Sequence, residues 1–106
     1  MTTPQPVSHL AFIRANTGNS VALGERLHGL LEPSRQAPGC LHFALQRSQC
    51  DDHLWLVSGF WADEAAMTAY FTSPAMHVFS EVVQDLMVNS LDLHTFSDVS
   101  REPGTR

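Results

Sequence analysis

Residues 40–61 read Cys40-Leu41-His42-Phe43-Ala44-Leu45-Gln46-Arg47-Ser48-Gln49-Cys50-Asp51-Asp52-His53-Leu54-Trp55-Leu56-Val57-Ser58-Gly59-Phe60-Trp61. Cys40–Ser48 and His53–Trp61 read as strands, because apolar residues run through both and the polar stretch Gln49–Asp52 is short enough for a hairpin. In the first strand Leu41, Phe43 and Leu45 point one way, and Cys40, His42 and Ala44 the other. In the second, Trp55, Val57 and Trp61 oppose Leu54, Leu56 and Phe60. A sheet with one wet face alternates apolar and polar residues. These strands are apolar on both faces.

Outward from this hairpin, Val7–Ala15 reads as a preceding strand, with Val7, Ala11 and Ile13 opposite Leu10 and Phe12. After a turn at Asn16–Ser20, Leu23, Leu27, Leu30 and Leu31 recur at i, i+4, i+7 and i+8, the stripe of an amphipathic helix. Pro33 kinks or ends that helix, and Pro38-Gly39 closes the segment. Asp63 caps a short helix running to about Phe71. Ser73-Pro74 starts another, with Met76, Phe79, Val83, Leu86, Met87 and Ser90 predicted on one face. Leu91–Val99 is the last predicted strand. The order β-α-β-β-α-α-β predicts an α+β domain of ferredoxin-like plan, a four-stranded antiparallel sheet with helices on one face. Residues 1–6 and 100–106 read as tails.

The chain has 106 residues, enough for one core and one domain. Its helices can cover only one sheet face. An identical sheet is the simplest cover for the other, so a homodimer through the sheet face is expected. Eleven acidic residues outweigh six basic ones, all arginine and scattered, which argues against nucleic-acid binding. The absence of lysine removes Schiff-base and P-loop chemistry. No apolar run reaches the ~20 residues that cross a bilayer, and the first residues carry no signal-peptide pattern. Cys40 and Cys50, about 30 Å apart along an extended strand, read as free thiols in a reducing compartment. A cytoplasmic location is the expectation.

Several segments, in order, resemble the antibiotic biosynthesis monooxygenase family of dimeric α+β barrels, which includes quinol monooxygenases. They are Leu31-Glu32-Pro33-Ser34-Arg35, Pro38-Gly39-Cys40 with Phe43, the strand ending at Trp61, Asp63-Glu64-Ala65-Ala66, and Ser73-Pro74-Ala75-Met76 with Phe79. The resemblance spans about residues 7–99. It implies oxidation of a small aromatic quinol or anthrone by oxygen, with no bound metal, flavin or other cofactor. Three positions depart from the family's polar set. Tyr70 stands where members often carry His, Gly59 where they often carry an acid, and Val57 where some oxygenases carry Asn.

On this reading Trp61, with Gly59, Val57 and Phe79, would line the substrate pocket. Tyr70 would polarise a substrate oxygen, and His42 or His77 would accept a proton. Each residue also has a structural reading. Trp61 would anchor the core, Gly59 would mark a bulge, and Tyr70 would sit at a helix rim with its hydroxyl in water. The six histidines, at 9, 28, 42, 53, 77 and 94, have no metal-motif spacing and read as partly exposed. Two other functions remain in view: a non-enzymatic dimer holding haem or a hydrophobic metabolite, with His77 the ligand to watch, and an inactive structural member of the family.

Overall fold

A computed structural model describes residues 5–99. Most of the two predicted tails lies outside these residues. The sheet contains β1 (Val7–Ala15), β2 (Cys40–Arg47), β3 (Leu54–Trp61) and β4 (Val88–Ser97). Every pairing is antiparallel, in the order β2-β3-β1-β4. The helices α1 (Ser20–His28), α2 (Leu31–Arg35), α3 (Glu64–Phe71) and α4 (His77–Gln84) complete the chain, with a 3-10 turn at Pro74–Met76 ahead of α4. This is the predicted ferredoxin-like arrangement, with helices packed on one face of an open sheet.

Period-two alternation decides which side chains reach the core. On β1 the odd positions from His9 to Ala15 are buried. They meet Trp61 and Val57 of β3, Phe43 of β2 and the leucine stripe of α1. On the other face Leu10, Phe12, Leu54 and Leu56 are half-buried, while Phe60 and Phe96 are 43% and 48% exposed. The two-sided apolar character read from the strands is present.

The predicted first helix is two helices. The chain breaks at Gly29-Leu30, where Leu30 N–H bonds Leu27 O at 2.9 Å, a tight turn closure. Leu30 stays buried. Pro33 neither ends nor kinks α1; it lies in the first turn of α2, where a helix needs no N–H. Asp63 caps α3 as expected, its carboxylate accepting from Ala66 N at 2.8 Å.

Two local readings are corrected. Leu41 is bulged, since Cys40 pairs with Trp61 and His42 with Phe60. One extra residue reverses the alternation. Cys40 therefore joins the face of Phe43 and packs on the core, while Leu41 is 60% exposed. In the last helix, the core face is Val78, Phe79 and Val82. Val83 lies off that face and is exposed, and Leu86 is exposed past the helix end at Gln84, where it adopts a left-handed φ of 59°. Met87 N–H then bonds Val82 O at 3.0 Å. Asn16 Nδ2 donates to Leu86 O at 2.6 Å, and β4 begins at Val88.

Candidate functional site

His9 sits at the centre of the helix-covered face of β1 and is 1% exposed. Directly across the ladder is Gly59 of β3. A methyl group at residue 59 would overlap His9 Cε1 and stand 3.0 Å from both His9 Nδ1 and Trp61 Nε1. The missing side chain of Gly59 is thus the space that the imidazole fills. Gly59 marks no bulge, because the β1–β3 register runs through it without a shift.

The imidazole is held by aromatics. It lies near-parallel to Trp61 and Tyr70, at 6.1 and 5.8 Å between ring centroids, and edge-on to Phe71 at 5.2 Å. Phe43 stands 5.8 Å away. Trp61 Nε1–H donates to His9 Nδ1 at 3.0 Å. His9 Nε2 is buried with no hydrogen-bond partner, the one such side-chain atom among the described residues. A buried polar group left unmatched costs about 1–3 kcal/mol. Burial lowers the His9 pKa from 6.5 to about 4, so the ring is neutral near pH 7.

Beside His9, between the sheet and the α4 segment, lies a cavity of about 60 Å³. Ala11, Leu91 and Leu93 line its sheet side, and Met76 and Phe79 its helical side. His9 is the one residue there with a polar side chain.

The expected site residues divide. Trp61 and Val57 are wholly buried, and Phe79 lines the cavity. Trp61 touches the site through His9, its ring packing 4.7 Å from that of Tyr70. Tyr70 is buried, not at a rim, and its hydroxyl pairs with Ser34 at 2.8 Å. Burial pushes the Tyr70 pKa up. His42 lies exposed on the opposite face of the sheet, 5.8 Å from Phe60. His77 is exposed at the start of α4. Neither joins His9, Trp61 and Tyr70.

His9 and Ser34 were missed by residue type, since histidine and serine are usually exposed. The signal was present in the period. His9 shares the parity of Val7, Ala11 and Ile13, which the alternation places on the covered face. Both cysteines are free, as expected, and burial raises the Cys40 pKa. Among the described residues no group of three His, Cys, Asp or Glu side chains is placed to hold a metal ion. No helix among them is long and apolar enough to cross a membrane.

The architecture is that of a small α+β domain with an apolar cavity between its sheet and its last helix, beside a histidine packed among aromatic rings. The family model for antibiotic biosynthesis monooxygenases matches residues 6–82. The chain belongs to that family. Among solved structures, PA3566 from Pseudomonas aeruginosa superposes with a TM-score of 0.83 at 25% identity, covering 94% of this chain and all of that one. SnoaB, a cofactor-independent oxygenase from Streptomyces nogalater, superposes at 0.77 with 14% identity, covering 93% of this chain and 98% of that one. A curated relative, the uncharacterized protein sll1783 of Synechocystis, is 29% identical over 66 residues, which is 62% of this chain and 45% of that protein. The chain therefore matches less than half the length of that relative.

Proposed function

We propose that this protein is a cofactor-independent monooxygenase that oxidises a small electron-rich aromatic, a quinol or an anthrone, with molecular oxygen. Membership of the monooxygenase family supports the reaction class. The observation that carries the site is a carbon-walled cavity with one neutral, buried polar group, His9. Aromatic substrates of this type react with oxygen once deprotonated, and an enclosed site needs chiefly to hold the reactants together and keep water out. For an anthrone the balance is simple. The ring methylene and O2 give a ring carbonyl and water, so the substrate supplies all the electrons. One oxygen atom enters the product, and the other leaves with the two methylene hydrogens.

The cavity of about 60 Å³ admits oxygen as it stands. It is smaller than the ~300 Å³ at the low end of ligand sites. A bicyclic substrate therefore enters as Met76, Phe79 and Leu93 swing aside. Leu93 is 44% exposed, so the edge strand β4 is the mouth. The haem alternative is disfavoured at His9. With Nδ1 accepting from Trp61, the neutral ring carries its proton on Nε2 and offers no lone pair to iron.

The working form in this reading is a homodimer. Leu10, Phe12, Leu56, Phe60 and Phe96 form an apolar surface on the sheet face that no helix among the described residues covers. A second copy placed there would bury it symmetrically.

The test is oxygen consumption across a panel of naphthoquinols and anthrones, measured against the uncatalysed background. Uptake above background that saturates with substrate is expected. A rate equal to background with every compound would overturn the oxygenase reading.

A further inference from the structure

An indole N–H can only donate, so His9 Nδ1, 3.0 Å from Trp61 Nε1, presents its lone pair to that bond. A neutral imidazole has one proton, and here it must sit on Nε2. That N–H is buried without an acceptor. Orphaned buried donors are rare, and a place where one persists calls for a reason. Here the donor belongs to the one residue with a polar side chain around an otherwise apolar cavity.

We propose that His9 Nε2–H is the donor that receives the oxygen of the bound aromatic, and that the ligand class is an arene with a phenolate- or enolate-forming oxygen at its edge. This deepens the quinol or anthrone reading and rests on it for the reaction. His9 is then a hydrogen-bond donor and not the base, because its only lone pair is held by Trp61. Trp61 is a positioning residue. Its N–H fixes the tautomer, and its ring, with that of Tyr70, fixes the imidazole plane. Gly59 is the vacancy that lets the ring take this place.

The preference for an anionic oxygen follows from the surroundings. Hydrogen bonds to ionised groups are roughly twice as strong as neutral ones. Ala11, Met76, Phe79, Leu91 and Leu93 put no competing side-chain dipole beside the pair, and their low polarity strengthens it. Oxygen-bearing arenes are therefore favoured over the same ring without oxygen. The substrate's proton leaves to solvent, since His9 could accept it only by breaking its bond to Trp61.

The experiment uses the full chain labelled with 15N at histidine, with 1-naphthol as probe and naphthalene as control. In the free protein, the His9 ring should show a proton-bearing Nε2 and a bare Nδ1, unchanged across pH values where ordinary histidines titrate. Adding 1-naphthol should move the Nε2 resonance, and naphthalene should leave it in place. Wild type should favour 1-naphthol over naphthalene by about tenfold more than His9→Phe does, equivalent to about 1.4 kcal/mol. His9→Gln, whose amide can accept from Trp61 and still donate, should recover part of that preference.

A proton on Nδ1 in the free wild-type protein overturns the assignment even if the variants fail to fold. So does an equal preference for 1-naphthol in wild type and His9→Phe. The two readings fail separately. Naphthol recognition without any catalysed oxygen uptake sinks only the oxygenase. Catalysed uptake that His9→Phe leaves unchanged sinks only the donor.

Discussion

Adding one methyl group at residue 59 tests the packing that the whole site depends on. In Gly59→Ala the new Cβ would overlap His9 Cε1 and lie 3.0 Å from His9 Nδ1 and Trp61 Nε1. His9 cannot retreat far, because Phe43, Trp61, Tyr70 and Phe71 surround it. Overpacking a close-packed core costs about 1–3 kcal/mol. Displacing His9 also weakens its bond from Trp61, worth about 1 kcal/mol net. Against this, alanine is favoured over glycine within a strand by about 0.5–1 kcal/mol. The expected loss is about 1.5–3 kcal/mol. For a domain of this size each kcal/mol shifts Tm by roughly 4–8 °C, so Tm should fall by roughly 6–24 °C. The assay is urea unfolding of wild type, Gly59→Ala, His9→Ala and the double variant. With the imidazole gone the clash disappears, so Gly59→Ala should be neutral or stabilising in the His9→Ala background. The coupling should then be about 1.5–4 kcal/mol. Equal destabilisation by Gly59→Ala in both backgrounds, or none in wild type, would refute the claim that His9 occupies the vacancy of Gly59.

The lowered pKa of His9 sets a pH dependence. The unfolded ring takes up a proton below pH 6.5 and the folded ring only below about 4, so stability should be flat above neutrality and fall by about 3 kcal/mol between those values. Chemical unfolding at a series of pH values should show this slope in wild type and lose it in His9→Phe. Tyr70→Phe strands the hydroxyl of buried Ser34, so it should cost about 1–2 kcal/mol, read from the midpoint of urea unfolding. Sedimentation at micromolar protein should give a dimer, and Phe60→Glu with Phe96→Glu should give a folded monomer. Phe79→Ala should widen the cavity and raise oxygen uptake with the larger anthrones relative to small quinols; an unchanged ratio would move the substrate path away from Phe79.

The order of elements was legible in the sequence because periodicity is a local property. Alternation in β1 and β3 and the leucine stripe of α1 follow from backbone geometry alone, and the cap at Asp63 needs only its neighbours. The aromatic set Trp61 and Tyr70 was found through its position in the family pattern. What the sequence could not carry was pairing between distant segments. The bulge at Leu41 exists only against β3, and the end of α4 at Leu86 is held by Asn16 of the β1–α1 turn. His42 and His77 resemble His9 as residue types, and only the covered face of the sheet separates them. The role of Gly59 likewise appears only when β1 is laid beside β3, because a glycine's vacancy has no meaning until its cross-strand neighbour fills it. The sequence by itself determined a two-faced antiparallel sheet with helices, since apolar residues on both faces of β1 and β3 are written in their own alternation. Tertiary structure alone decided that the polar group at the cavity is His9 on β1, because a hydrogen bond from Trp61, 52 residues away in the chain, fixes both its place and its proton.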